Sequence, residues 1–142
     1  MSGSGYRVGV LGATGAVGST ILEILAERNF PASEVIAFAS ERSAGKLVPF
    51  GDGELTCVVP DDRSIQGIHI LISSAGGSVS AEWAPKFSEA GAVVVDNTSY
   101  WRMHEDVPLV VAEVNPEAAQ NHKGIIANPN CTTMAAMPLL KP

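Results

Sequence analysis

The sequence predicts an α/β domain with a mostly parallel, doubly wound sheet, and three observations predict it. Short apolar runs rich in Val and Ile alternate with segments of helical spacing. The runs are apolar throughout rather than every second residue, as strands covered on both faces require. The first run leads straight into a glycine-rich turn and then a helix. The 142 residues are about one domain's worth, and 46% hydrophobic against 17% charged residues is the balance of a folded chain.

In order along the chain, Tyr6–Gly12 reads as the first strand. Ile21, Leu22, Ile24 and Leu25 then recur at helical spacing, and the pattern ends near Arg28–Asn29, with Pro31 as a stop. Glu34–Ser40 reads as a second buried strand, Glu54–Pro60 as one nearer an edge, and Ile68–Ser74 as a central one. Ser78–Ala90 reads as a helix with Gly91 at C′, and Pro85 is expected in its first turn or at a kink. Ala92–Asn97, Leu109–Val114 and Gly124–Pro129 complete the strands. A helix starts at Cys131, and Pro138 is expected to disturb it after about two turns. Residues 1–5 read as a flexible lead, 6–130 as the domain, and 131–142 as the start of a helix leading out of it.

The net charge of −6 disfavours nucleic acid and anionic membranes as partners. No apolar run reaches the roughly 18 residues of a membrane span. Cys57 and Cys131 fit neither a zinc spacing nor a disulfide framework, so reduced thiols in the cytoplasm are expected and no metal site is assigned.

Chemistry concentrates at three places. In "GVLGATGAVGST" glycines recur at Gly9, Gly12, Gly15 and Gly18. A turn without side chains lets backbone N–H groups at a helix start approach a pyrophosphate, and Gly18 would let that helix pack closely on the sheet. "FASERSAGK" follows the second strand. Ser40, Arg42 and Ser43, with Lys46 nearby, suit a ribose 2′-phosphate, so NADP(H) is the expected cofactor; Glu41 is the lone acid there. Finally, "NPNCTT" puts Cys131 at a helix start with Asn130 as a candidate cap, and a helix N-terminus favours the thiolate that a nucleophile needs. Cys57, inside a strand pattern, reads as packing. Arg102, after the strand Ala92–Asn97, is a candidate anion ligand. His69, His104 and His122 have no supporting constellation.

Taken together, "GATGAVG", "ASERSAGK", "SSAGG", "VVVDNTSYWR", "PLVVAEVN" and "NPNCTT" resemble the N-terminal, cofactor-binding part of bacterial aspartate-semialdehyde dehydrogenases. The resemblance implies a Rossmann-type fold and the NADPH-dependent reduction of L-aspartyl-4-phosphate to L-aspartate-4-semialdehyde and phosphate, toward lysine, methionine and threonine. It implies Cys131 as a nucleophile passing through a thioester, Asn130 orienting thiol and substrate, and Arg102 binding the substrate phosphate. Gly12, Thr14, Gly15, Ala16 and Val17 would line the cofactor phosphates, and Ser40, Arg42 and Ser43 the 2′-phosphate. Ser74, Ala75 and Gly76 would touch the dinucleotide, with Asn97 near the nicotinamide. It further implies a homodimer or dimer of dimers. A second domain would carry the acid/base histidine and the clamp for the substrate's amino and carboxylate groups, so these 142 residues alone are expected to be inactive. The rival readings are an N-acetyl-glutamyl-phosphate reductase-like enzyme, a glyceraldehyde-3-phosphate dehydrogenase, which the "ASERS" loop disfavours, and a dinucleotide-binding module without catalysis.

Overall fold

The computed structural model describes residues 4–141; most of the expected lead and Pro142 lie outside them. Gly5 is already tied down, its carbonyl accepting from Ser33 Oγ at 3.2 Å. Strands β1 (Tyr6–Leu11), β2 (Ala32–Phe38), β5 (Ile70–Ser73), β6 (Val93–Asp96) and β7 (Ile125–Ala127) form one parallel sheet in the order β2-β1-β5-β6-β7. Strands β3 (Leu47–Phe50) and β4 (Gly53–Thr56) form a separate antiparallel hairpin. Helices α1 (Ala16–Glu27) and α2 (Gly77–Glu89) pack on opposite faces, and α3 (Cys131–Leu140) follows β7. The doubly wound fold holds, and the order in which strands are added reverses between β1 and β5, where such sheets place ligands.

Alternation along β1 splits the core. Val8 and Val10 join Leu22, Leu25 and Ala37 beneath α1, while Leu11 joins Phe38, Leu71, Phe87 and Val94 beneath α2. The cover is uneven. Ile72, Val95 and Ile126 face away from α2 and are only half-buried, because α1 lies over β1 and β3 rather than over the β5–β7 half.

Both helices on the sheet end as their sequences specify. Gly91 adopts φ +101° at C′ of α2, and the bonds Gly91 N–H to Ser88 O and Ala92 N–H to Phe87 O close a Schellman motif. Asn29 does the same for α1 at φ +47°, with Asn29 N–H to Ala26 O and Phe30 N–H to Leu25 O.

Several expectations need correction. The segment 109–114 is not a strand: Leu109 makes an isolated bridge to Ala127, and the chain then turns. Asn115 diverts it. Its Oδ1 accepts from Val111 N–H at 2.8 Å and its Nδ2 donates to Leu109 O at 3.0 Å, taking groups a ladder would need. The third apolar run is displaced into the β3–β4 hairpin and pairs with the sheet at an isolated Phe38–Val58 bridge. Strand β2 is the sheet edge, buried only toward Ala37 and Phe38. Pro85 lies well past the first turn of α2, which continues through it, whereas α3 ends at Leu140, two residues after Pro138.

Candidate active site

The glycine turn is built by close contacts. Gly12 and Ala13 N–H both donate to Phe38 O, at 3.0 and 3.1 Å, so the turn hangs on the end of β2. Gly12 has φ +88°, and a Cβ there would lie 2.9 Å from the Ala75 backbone. Gly18 is needed for a related reason, but its close neighbour is not the sheet. A Cβ would run into the Gly12 carbonyl and come within 2.9 Å of Ala13 Cα. At Gly15 a Cβ would meet only Gly12 O, at 3.4 Å. Gly15 is the N-cap of α1, with no side-chain cap and no acid in the first turn. The N–H groups of Ala16, Val17 and Gly18 are therefore those an anion would meet.

Beside this turn lies a cleft of about 530 Å³, lined among others by Gly12, Thr14, Gly15, Ser40, Ser74 and Ala75. It unites these six predicted residues at the switch point. Ala16 and Val17 open α1 beside it, and Gly76 is the N-cap of α2. The second strand's loop divides: Ser40 and Glu41 line the cleft, whereas Arg42 is exposed on the same short 3₁₀ turn (Glu41–Ser43) and Ser43 is buried. Sequence reasoning missed Val79 and Trp83 on the opposite wall. Their i, i+4 spacing on the helix after Gly76 was the available signal. The dinucleotide fits this chain at the level of chemistry: a glycine cradle, an uncapped helix start and an apolar wall.

The second group of predicted residues gathers past the ends of β6 and β7, on the same C-terminal side of the parallel sheet. Asn97 follows β6, its N–H donating to Ser73 O at 2.8 Å. Arg102 is half-buried; its Nε donates to Asn128 O at 2.9 Å and its Nη2 to Asn97 O at 3.0 Å. The guanidinium is thus fixed on two strand ends, leaving Nη1 for a ligand. Asn130 caps α3, its Oδ1 accepting from Thr133 N–H at 2.8 Å. Cys131 is the first residue of α3 and is exposed.

A buried carboxylate fixes the loop that carries Asn97 and Arg102. Asp96 is fully buried. Its oxygens accept from Ser80 Oγ (2.5 Å), Thr98 Oγ1 (2.5 Å) and Thr98 N–H (2.8 Å), and Trp101 Nε1 donates to Ser80 Oγ at 2.9 Å. Sequence reasoning gave Asp96 no role. The signal was present: on alternation Asp96 shares a face with Val94, so the carboxylate must be buried and bonded.

The histidines stay outside this chemistry. His69 and His122 accept backbone N–H bonds from Arg7 and Gly124, and His104 stacks beside Trp101. Among the described residues no cluster of three His, Cys, Asp or Glu could hold a metal, and no helix is long and apolar enough to cross a membrane.

Cys57 is buried, and that burial pushes its thiol pKa up, outweighing the opposing pull of Lys46. A thiol reagent at neutral pH should therefore modify about one cysteine in the native chain, at Cys131, and both in denaturant. Peptide mapping checks this; modification of Cys57 at a comparable native rate would contradict it.

A profile described as semialdehyde dehydrogenase, NAD binding domain, matches residues 7–122. The aspartate-semialdehyde dehydrogenase of Aquifex aeolicus is 55% identical over 141 residues, 97% of this chain and 42% of that protein. A solved structure of aspartate semialdehyde dehydrogenase II from Vibrio cholerae superposes with a TM-score of 0.93 at 48% identity, covering 98% of this chain and 42% of that one. The enzyme from Candida albicans, solved with NADP, gives a TM-score of 0.76 at 27% identity, covering 98% of this chain and 46% of that one. The chain thus spans about two fifths of the length of the curated relative from Aquifex. With its glycine cradle at the switch point and this match over most of its length, the chain belongs to the semialdehyde dehydrogenase family and carries its Rossmann-type NAD-binding domain.

Proposed function

We propose that this chain provides the cofactor domain and the nucleophile for the NADPH-dependent conversion of L-aspartyl-4-phosphate to L-aspartate-4-semialdehyde. The observation that carries the reading is an exposed thiol, Cys131, at the capped start of α3, on the same side of the sheet as the glycine cleft. Cys131 Sγ attacks the acyl carbon, the bond from that carbon to the phosphate oxygen breaks, and phosphate leaves behind a thioester. A bound NADPH would supply the hydride for the thioester carbon, and Cys131 would leave as the thiolate when its C–S bond breaks to free the aldehyde. Asn130 orients thiol and substrate, and Arg102 holds the substrate phosphate through its remaining N–H groups. No residue of this chain is assigned to proton delivery or to a clamp on the amino and carboxylate ends, so a preparation of these 142 residues alone is expected to be inactive. The intact enzyme works in the cytoplasm as a homodimer or dimer of dimers.

Gly12, Thr14, Gly15, Ala16 and Val17 cradle the pyrophosphate, and Ser74, Ala75 and Gly76 the dinucleotide opposite. Ser40, Arg42 and Ser43 serve the 2′-phosphate, with support from the NADP in the Candida enzyme's structure. Glu41 on the cleft wall makes this the critical point, because an acid there suits a free 2′-OH. Trp83 lines the cleft while Trp101 is buried, so quenching of Trp83 reports binding. Titration with NADPH and NADH should show NADPH bound tighter. Arg42→Ala should weaken NADPH about tenfold or more and leave NADH nearly unchanged. An NADH preference would overturn the assignment and give the ribose to Glu41. Protection of Cys131 from alkylation by a substrate analogue separates the enzyme from a binding-only module; greater labelling of Cys131 alone does not, since exposure already explains it.

A further inference from the structure

Asn128 opens the "NPNCTT" segment, and nothing above gives it a task. Its Nδ2 donates to Pro129 O at 3.1 Å and to Asn97 Oδ1 at 2.7 Å, with Met134 Sδ, a weak acceptor, at 3.3 Å. The proline carbonyl can only accept, so the atom facing it must be the amide nitrogen of Asn128. Reversed, Asn128 would turn an oxygen toward the Pro129 carbonyl and the Met134 sulfur, neither of which can donate. The atom of Asn97 that faces this nitrogen must then be its oxygen. The amide orientation of Asn97 therefore follows from one backbone carbonyl, through Asn128.

The backbones of both residues are equally constrained. Asn128 N–H donates to Asp96 O at 3.1 Å and Asn97 N–H to Ser73 O at 2.8 Å. Arg102 bridges both carbonyls. With main chain and side-chain oxygen held, the Nδ2 group of half-buried Asn97 has no acceptor among the described residues. It is a fixed donor on the residue that follows β6, the strand between β5 and β7, at the C-terminal side of the sheet. A fixed donor selects a carbonyl oxygen, and the nicotinamide ring carries one on its carboxamide.

We propose that Asn128 is a positioning residue: it holds the Asn97 amide with its NH₂ group turned to the cofactor, where it donates to the nicotinamide carboxamide oxygen. The proposal rests on the reading of Asn97 as lying beside the nicotinamide. The test compares NADPH with adenosine 2′,5′-bisphosphate, which keeps the phosphate end and lacks the nicotinamide. Asn128→Ala and Asn97→Ala should each weaken NADPH about five- to tenfold and leave the bisphosphate unchanged. The double variant should be no weaker than either single one, because both remove the same donor. Asn97→Asp keeps an oxygen facing Asn128 and puts an acceptor where the donor stood, so it should weaken NADPH at least as much, and it decides the matter if Asn128→Ala fails to fold.

Equal losses on both ligands, additive losses, or unchanged NADPH binding in Asn97→Asp would overturn the proposal. A native chain that binds the bisphosphate as tightly as NADPH would overturn it and leave the phosphate-end reading standing. A chain that binds neither would overturn both.

Discussion

Gly18→Ala is expected to destabilise the chain by about 3 kcal/mol and to abolish dinucleotide binding, whereas Gly15→Ala should fold nearly as the native chain does. The difference comes from what each added methyl meets. At Gly18 it would overlap the Gly12 carbonyl and press on Ala13 Cα, and both are backbone atoms. Gly12 cannot yield, because it is already packed on Ala75 and bonded to Phe38 O. Relief requires moving the whole turn or the first turn of α1, which also dismantles the cradle. At Gly15 the nearest atom stands at 3.4 Å, an adjustment of tenths of an ångström. Its methyl would instead stand at the N-cap, where we propose the pyrophosphate binds, so Gly15→Ala should lose affinity without losing stability. Chemical denaturation with parallel tryptophan titration checks both. Equal stability of the two variants would show that the turn is softer than its contacts indicate.

Asp96→Ala is expected to cost about 3–5 kcal/mol, since each buried donor left unpaired costs about 1–3 kcal/mol. Three bonds end on that carboxylate, two from Thr98 and one from Ser80, and Ser80 in turn accepts from Trp101. Ser80, left without its acceptor, would then hold the Trp101 indole less firmly. The loop 97–102 would loosen, releasing Arg102 from the strand ends. The expected signature is a lowered midpoint in denaturant together with altered Trp101 emission. A variant as stable as the native chain would mean that the network is dispensable and that the loop is held by the Arg102 bonds alone.

Much of this domain is legible in its residues because the governing interactions are local. The apolar runs, the glycine turn and the stops at Asn29 and Gly91 are determined within a few positions, through backbone conformations that only certain residues adopt cheaply. The capping of α3 by Asn130 is of the same kind. The failures are contests that sequence periodicity does not register. Leu109–Val114 has strand composition, yet the Asn115 side chain claims its hydrogen-bonding groups. Pro85 has the character of a helix stop, yet the packing of Ala84 and Phe87 in the core carries α2 through it.

By itself, then, the sequence determined the fold class, the glycine cradle and the placing of a thiol at a helix start. The tertiary structure alone decided three matters. It set Glu41 rather than Arg42 on the cleft wall, closed the Asp96 network, and joined Asn97 to Asn128 across two strand ends. The physical reason is range. Conformational preference acts within a helical turn, whereas a buried polar group must find its partner wherever folding brings one, and that partner is fixed only when the sheet has assembled.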